Sequence, residues 1–432
     1  MKLQNILGAG LFVSGGADVA QASQEAAKDA IESVAERTKA TVLKQVDNQA
    51  AKLRECGTEP SCTRDKLVFR REYGSLSEAE RLEYVDAVKC LQQLPPRTPS
   101  TAAAGAKSRF DDFVVTHINQ TLTIHFTGNF MPWHRWFVHE YEKALREECG
   151  YSGYQPYWDW PRYASAPQDS PIFDGSPTSL GGNGEYVVHD GPVISPPEGF
   201  GGGDIQLPAG VGGGYVTTGP FANMTVNLGP KGGLNGTEPG PDGGLGYNPR
   251  RLKRDVGPAM NARYANYTTV MNLLAKPDFN QYRLLSEGVP YTVEIGPHGG
   301  IHYTISGDPG ADLFTSPGDP TFWTHHSMMD RMWSYWQVYS IGRLRKTRLQ
   351  LSAMYRSVSK INKSPRQLLD PETRFTESSM NNGTYGHITW ANQPESRKTY
   401  FNDTIDMGYA GDSISIGEVM STTSGPFCYF YL

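Results

Sequence analysis

Two groups of histidines lie in the sequence at spacings that suit metal binding. The first group is His117, His125 and His134, and the second is His298, His302, His325 and His326. Neutral imidazole is the commonest protein ligand for copper, zinc and iron. Three imidazoles around one metal leave coordination positions open for an exogenous ligand, as a catalytic site requires. The two groups therefore predict two metal ions with open positions.

The second group begins with two histidines that one helix can present together. His298 and His302 are four residues apart, so a helix places both rings on one face. Gly299 and Gly300 lie between them and weaken that helix by about 1 kcal/mol each. Metal binding can offset this cost, and the glycines leave open space beside the metal.

The second group ends with two adjacent histidines. On a helix the rings of His325 and His326 point about 100° apart, so only one of them reaches the metal comfortably. His326 shares a helix face with Phe322 and Asp330. We therefore predict that His326 is a metal ligand and that His325 supports the ligands. Three other histidines are predicted to have structural roles, with the first facing outward: His139, His189 and His387.

Apolar spacing predicts the helices that position the first group. One helix has an apolar stripe that ends in a histidine, at Phe110, Phe113, Val114 and His117. A second helix opens at Pro132, and its stripe contains His134, Phe137, Val138, Tyr141 and Leu145. The intervening residues 118–131 are predicted to form a loop that carries His125 to the metal.

The rest of the chain divides into helical and irregular segments. Helices are predicted over residues 23–54, 77–93, 258–286 and 322–340, the second of them capped by Ser77 with Glu80 three residues later. Residues 94–107 form a predicted loop, and residues 164–250, rich in Gly, Pro, Asn, Ser and Asp, form a large irregular excursion. Residues 375–432 have a strand- and turn-rich pattern.

The composition limits the class of protein. The chain has 432 residues, of which 38% are hydrophobic and 20% charged, which is typical of a soluble globular protein. A net charge of -5 gives no reason to expect nucleic acid or a membrane as partner. The 47 glycines and 30 prolines predict much irregular loop.

The N-terminus and the cysteines indicate export. Residues 1–22 have a short positive start, an apolar stretch too short to span a bilayer, and a small-x-small cleavage site, so we predict a signal peptide. In an oxidising compartment Cys56 can pair with Cys62 and Cys90 with Cys149, which leaves Cys428 as the odd one. Spacing alone does not prove this connectivity. Asn-x-Ser/Thr triplets at Asn223, Asn235, Asn266, Asn382 and Asn402 fit a secreted glycoprotein.

Two longer motifs around the histidines carry a family resemblance. Residues 117–160 contain His-x7-His-x8-His, the segment Phe130-Met-Pro-Trp-His-Arg135 and then Tyr-Trp-Asp-Trp. Residues 294–336 contain Glu-Ile-Gly-Pro-His-Gly-Gly-Ile-His and then Asp-Pro-Thr-Phe-Trp-Thr-His-His-Ser-Met-Met-Asp-Arg-Met-Trp. They resemble, in this order, the two copper-binding regions of tyrosinases, catechol oxidases and mollusc-type hemocyanins. The resemblance covers roughly residues 60–340, and the chain looks most like the short secreted fungal enzymes.

The resemblance implies a mainly α fold with a four-helix bundle core, surrounded by Gly/Pro-rich loops and a few short strands. It implies a coupled pair of copper ions, the first held by His117, His125 and His134 and the second by His298, His302 and His326. The implied domain spans residues 23–432, with copper regions at about 110–160 and 290–340. The implied reaction is the dioxygen-dependent oxidation of o-diphenols to o-quinones, with ortho-hydroxylation of monophenols or oxidation of o-aminophenols as further activities, in phenolic metabolite biosynthesis.

Further residues take roles by the same resemblance. Glu294 lies four residues before His298, where relatives have a glutamate that holds a water and helps deprotonate phenols. Gly299 stands where many tyrosinases have Asn, which puts monophenol hydroxylation in doubt. Leu313 falls where relatives place a gate over the second copper. Arg135 and Asp330 are expected to pair across the bundle and fix its helices.

Alternatives remain open at this point. A hemocyanin-type oxygen carrier has the same copper site, but carriers usually repeat the domain, and this chain has one copy. A dizinc hydrolase is disfavoured because the histidine trios lack a bridging carboxylate, and a copper-free structural relative because all six expected ligands are present. The oligomeric state is left open.

Overall fold

The computed structural model describes residues 10–194, 204–231, 238–288, 294–355 and 399–432. The fold is mainly helical with a helix-bundle core, which confirms the predicted fold class. In chain order its helices are α1 Gly10–Glu55, α2 Glu78–Gln93, α3 Arg109–Ile124, α4 Phe130–Cys149, α5 Pro258–Tyr264, α6 Tyr267–Leu274, α7 Phe279–Glu287, α8 Gly296–Ile305 and α9 Thr321–Tyr355. Helix α4 packs on α9 and α3, and α8 packs on α5, α7 and α9, so the four helices that border the histidines share one core.

Local sequence signals account for the helix starts, but one helix end was predicted wrongly. The Ser77 side chain accepts the N–H of Glu80, whose carboxylate accepts the N–H of Ser77, so the predicted cap of α2 is confirmed. Residues 118–124 were predicted to be loop and are instead helical, because α3 continues to Ile124. The last turns of α3 bury Ile118, Thr121 and Ile124, an i, i+3 stripe that continues the apolar face.

The strands are short and pair two by two. The pairs are β1 Val68–Arg70 with β10 Tyr429–Tyr431, β2 Gly184–Tyr186 with β5 Gly213–Val216, β3 Val193–Ile194 with β4 Ile205–Gln206, β6 Thr225–Val226 with β7 Arg250–Arg251, and β8 Thr404–Ile405 with β9 Ile414–Ser415. The β1–β10 pair is parallel and joins residues 68–70 to the C-terminal segment, whereas the others are antiparallel. In the described part of the 164–250 excursion, regular structure is limited to six of these short strands and two 3₁₀ helices, Pro167–Asp169 and Pro241–Gly244. The strand-rich pattern was predicted for residues 375–432, and residues 375–398 of this range lie outside the described residues.

The disulfides correct the predicted pairing. Cys90 pairs with Cys149 as predicted, but Cys62 pairs with Cys428, while Cys56 is exposed and free. The prediction of a Cys56–Cys62 loop with Cys428 left over was therefore wrong. Cys62 precedes β1 and Cys428 precedes β10, so the parallel pairing brings their Cα atoms to 5.0 Å despite a sequence separation of 366 residues.

A buried ion pair links the helices of the core, as predicted. Arg135 on α4 donates from Nε to Asp330 Oδ1 on α9 at 2.5 Å. The hydroxyl groups of Tyr429 and Tyr431 on β10 each donate to the other oxygen of Asp330 at 2.7 Å. Asp330 therefore joins two helices and the C-terminal strand. Among the helices that the structure describes, none combines the length and apolar character needed to cross a bilayer.

His139 on α4 was predicted to face outward and is instead half-buried. Its ring stacks on Trp136 with centroids 5.0 Å apart and meets Phe427 edge-on, and its Nδ1 has no hydrogen-bond partner. Burial lowers its pKa to about 4, with Glu142 acting in the opposite direction. The prediction failed because the C-terminal segment covers this side of α4, which helix periodicity alone does not show.

The buried ring of His139 predicts acid sensitivity. The pKa of an unfolded histidine is about 6.5, so as the pH falls the unfolded chain binds the proton before the folded chain does. Stability is therefore lost from about pH 6.5 downward to the folded pKa. His139→Phe keeps the ring contacts but cannot bind the proton. We expect its free energy of unfolding, measured relative to that of the native chain, to be about 1–2 kcal/mol higher at pH 5 than at pH 7.5. Urea unfolding of both proteins at both pH values measures this effect. A stability difference between variant and native chain that is the same at pH 5 and pH 7.5 would contradict the prediction.

Candidate metal centre

The first histidine group comes together where α3 ends and α4 begins. His117 lies on α3, His125 is the residue directly after α3, and His134 lies in the second turn of α4. One ring nitrogen of each lies within 4.8 Å of the others, and all three side chains are buried. The structure therefore brings together the three residues that were predicted for the first metal.

The second group forms between α8 and α9. His298 and His302 lie one helical turn apart on α8, and His325 and His326 lie in the second turn of α9. Each of the four offers a ring nitrogen within 4.8 Å of the others. The Nε2 atoms of His302 and His326 are 3.3 Å apart. His302 is half-buried, whereas the side chains of the other three are buried.

The two groups face each other across one space. The rings of His134 and His326 stack with centroids 4.5 Å apart and an angle of 16° between their planes. The rings of His125 and His298 also stack, with centroids 5.5 Å apart. Each stacked pair contains one histidine from each group, so the site is a single binuclear arrangement and not two separate ones.

Hydrogen bonds set the direction of the rings. Nδ1 contacts a backbone carbonyl oxygen in four of them: His117 with Phe314 at 2.8 Å, His125 with Thr121 at 2.9 Å, His134 with Phe130 at 2.8 Å and His302 with Gly310 at 3.2 Å. A neutral ring that donates from Nδ1 keeps its lone pair on Nε2, which is the usual arrangement of a metal-binding histidine.

The opposite ring nitrogens show that the site fits a metal. The Nε2 atoms of His117, His134 and His298 are buried and have no hydrogen-bond partner. Buried polar atoms without partners are costly and rare, and a metal ion would satisfy them. Imidazole donors without a carboxylate or thiolate suit copper, zinc or iron.

The electrostatics keep the rings neutral. Burial is the largest cause in each case and lowers the pKa of His125 to about 3 and that of His302 to about 4. Burial also brings the pKa of His117, His134, His298 and His326 well below the usual value, and neighbouring histidines lower it further. Neutral imidazole is the form that binds metal, so at neutral pH the rings need lose no proton before binding.

His325 and His326 differ in their surroundings. The ring of His326 stacks on Phe322 at 4.0 Å and lies against rings of both groups. The ring of His325 lies beside Trp160, with centroids 5.3 Å apart. Neither nitrogen of His325 has a hydrogen bond of normal geometry, although the His298 backbone is close enough to act on its pKa. The choice of His326 as ligand stays a prediction.

The other predicted site residues lie on, or next to, the chain segments that carry or contact the histidines. Glu294 is exposed before α8 and borders a cavity of about 520 Å³, which Tyr264 and Lys276 also line. Gly299 is half-buried on α8. Leu313 is half-buried in the segment between α8 and α9, next to the residue whose carbonyl contacts His117.

Glu287 is a buried carboxylate that the sequence did not indicate. It ends α7, is 2% exposed, and its Oε1 accepts the N–H of Phe126 at 2.5 Å. Phe126 directly follows His125 and has a φ of 54°, an uncommon value for a residue with a side chain. Glu287 therefore holds the turn that delivers His125. No local signal reveals this contact, because the two residues are 161 positions apart.

The two glycines between His298 and His302 have different surroundings. A Cβ at Gly300 would lie 2.5 Å from the Cβ of Tyr264, because α5 packs closely on α8 at this point. A Cβ at Gly299 would meet only Ile295 on its own helix, at 3.3 Å. We expect Gly300→Ala to destabilise the protein by about 1–3 kcal/mol through overpacking. Gly299→Ala should be neutral or gain up to about 1 kcal/mol from helix propensity. Chemical unfolding of both variants measures the contrast, and equal losses would contradict it.

The helical core and the two buried histidine groups define a class: proteins with a binuclear, all-histidine metal centre. The profile described as the common central domain of tyrosinase matches residues 107–339. Tyrosinase P of Aspergillus terreus is 37% identical over 86% of this chain and 93% of its own length. N-acetyl-6-hydroxytryptophan oxidase ivoB of Emericella nidulans is 34% identical over 86% of this chain and 93% of its own. A variant polyphenol oxidase from Thermothelomyces thermophila has a solved structure with a TM-score of 0.80 and 61% identity, covering 93% of this chain and 97% of that one. The chain belongs to the tyrosinase family, an assignment that implies copper at this site.

Proposed function

We propose that this protein is a copper-dependent polyphenol oxidase that uses dioxygen to oxidise o-diphenols to o-quinones. The observation that carries the proposal is the pairing of two histidine groups around one space with buried, unpartnered Nε2 atoms, in a chain of the tyrosinase family. The proposed ligands of the first copper are His117, His125 and His134, and those of the second are His298, His302 and His326.

The residues around the metals have separate tasks in this proposal. Bound copper would supply the exchange of two electrons between the phenol and dioxygen. In this proposal the phenol arrives on the side of His302, which is less buried than the other proposed ligands, and Gly299 on the same helix adds no side chain there. Leu313 supplies an apolar contact for the aromatic ring. The surrounding burial keeps the histidines neutral, so a proton from the phenol must go to another group.

Glu294 is the proposed acceptor of that proton. It is exposed and lies four residues before His298, whereas Glu287 is buried and its Oε1 accepts the N–H of Phe126. We expect Glu294→Gln to lower kcat about 10²-fold with little change in KM for a catechol, the usual size of a general-base contribution. Glu287→Gln is the matched comparison. If only Glu287→Gln lowered kcat at full copper loading, the buried carboxylate would be the base instead.

Oxygen uptake by the copper-loaded protein tests the activity. The panel should contain monophenols, o-diphenols and o-aminophenols, because a relative at 34% identity is named for a hydroxytryptophan substrate. We expect the fastest uptake with o-diphenols such as 4-methylcatechol. A protein that binds two copper ions and reversibly binds dioxygen, but does not turn over any phenol, would contradict the proposal.

We further propose that the protein is secreted. Its two disulfides require an oxidising compartment to form and persist. Asn223 and Asn402, two of the predicted glycosylation sites, are exposed. N-terminal sequencing of protein recovered from culture medium should begin after residue 22, and retention of the full chain inside the cells would contradict this prediction.

A further inference from the structure

One loop contacts a histidine of each group. This loop, residues 306–315, connects α8 to the segment before α9 and is called the connecting loop below. The carbonyl oxygen of Phe314 lies 2.8 Å from Nδ1 of His117, and that of Gly310 lies 3.2 Å from Nδ1 of His302. The direction of these two carbonyls therefore sets the direction of one ring in each group.

A buried carboxylate fixes the shape of the connecting loop. Asp312 is 3% exposed, and its Oδ1 accepts the N–H groups of Phe314 at 2.8 Å and Thr315 at 3.2 Å. Its Oδ2 accepts the N–H of Lys231 at 2.8 Å. Lys231 belongs to the glycine-rich excursion, so Asp312 ties this excursion to the residue whose carbonyl orients His117.

An ion pair forms the second attachment, between the excursion and the start of the connecting loop. Arg250 donates to both carboxylate oxygens of Asp308, at 2.6 and 2.8 Å. The same guanidinium donates to the carbonyl oxygens of Gly229 and Leu228, at 2.8 and 3.0 Å. The loop is thus held on both sides of Gly310 by the same part of the excursion.

We propose that Asp312 is a positioning residue for the metal centre, and that the excursion, through Asp312 and Arg250, holds the connecting loop in the shape that orients His117 and His302. The inference rests on the proposed function for the identity of the metal. It gives a role to residues 228–231 and to Arg250, which the sequence shows only as irregular chain. Loss of this attachment would weaken the hold on both metal ions without removing any ligand.

The test uses two variants of Asp312 and one matched control in the full-length protein. Asp312→Asn keeps one oxygen for the loop but places an amide where Lys231 donates, and Asp312→Ala removes every contact. Asp190→Asn is the control, because Asp190 is exposed and borders the same cavity of about 650 Å³ as Asp312. It makes the same change of charge at that cavity. Copper affinity is measured by competition with a chelator, and ring geometry by the visible absorption spectrum of the Co(II)-loaded protein.

We expect copper affinity to fall about ten- to a hundredfold in Asp312→Ala, the usual effect of removing a group that orients a ligand. The copper affinity of Asp312→Asn should lie between that of Asp312→Ala and that of the native chain. The copper affinity of Asp190→Asn should stay within about twofold of the native value. The Co(II) spectrum should change in the Asp312 variants and stay native in the control. Native affinity and a native spectrum in a folded Asp312→Asn or Asp312→Ala variant would overturn the proposal. So would an equal fall in the control.

A second pair of variants tests the other attachment. Arg250→Gln removes the bidentate contact with Asp308, and Arg251→Gln is the control, since Arg251 is the exposed neighbour in β7. We expect weaker copper binding in Arg250→Gln but not in Arg251→Gln. Equal copper affinities of these two variants would overturn the role proposed for Arg250. Metal binding is measured without phenol, so the inference stands or falls separately from the proposed oxidase activity.

Discussion

Replacing His326 with alanine is expected to lower the oxidase activity about a thousandfold or more and to reduce the copper content from two ions per chain to about one. Bound copper would supply the electron exchange with dioxygen at this site, and each 1.36 kcal/mol of lost transition-state stabilisation lowers the rate about tenfold. His326 Nε2 lies 3.3 Å from His302 Nε2, and its ring stacks on that of His134 in the other group. The loss of this ring therefore removes a proposed donor of the second metal, one whose ring stacks on a histidine of the first group.

The adjacent histidine supplies the matched control. His325→Ala removes a ring of the same size from the same turn of α9, so both variants leave a similar cavity. We expect His325→Ala to keep two copper ions per chain, with a smaller loss of activity. Metal analysis and oxygen uptake, each normalised to the folded fraction, measure both variants. Loss of one copper in His325→Ala with full loading of His326→Ala would reverse the assignment of the ligand.

Replacing Asp330 with alanine is expected to lower the free energy of unfolding by about 3–5 kcal/mol, because it leaves the buried guanidinium of Arg135 without its counter-ion. Three hydrogen bonds disappear in the same step, from Arg135, Tyr429 and Tyr431. Arg70, which is fully buried, also loses a carboxylate 3.7 Å from its Nη1 atom. The hydrogen bonds through which Asp330 joins α4, α9 and β10 are then lost.

Chemical unfolding of the metal-free protein measures this effect without a contribution from copper. Asp47→Ala is the control, because the Asp47–Arg64 pair is exposed and surface ion pairs contribute little. We expect its unfolding midpoint to match that of the native chain. Asp330→Asn keeps an oxygen acceptor, so its unfolding midpoint should lie between those of Asp330→Ala and Asp47→Ala. An Asp330→Ala variant with the native midpoint would show that the buried network does not stabilise the core.

Much of the site could be predicted because metal binding leaves a local pattern in the sequence. His298 and His302 are one helical turn apart, and His117 and His134 lie in the apolar stripes of α3 and α4. The helix period is enough to point such rings into the core. The partner of Arg135 could be predicted as well, since Asp330 shares a helix face with His326. These features depend on residues a few positions apart, or on a family resemblance carried by contiguous motifs.

The amino-acid sequence by itself determined the mainly helical class, the two histidine groups and the family. Only the tertiary structure decided which distant residues meet: Cys62 with Cys428, Glu287 with the turn after His125, and Asp312 with Lys231. It also decided the burial of His139, which the C-terminal segment covers. Periodicity specifies which face of a helix is apolar, but not which remote segment packs on that face. Contacts between residues far apart in sequence depend on how the whole chain closes around its core.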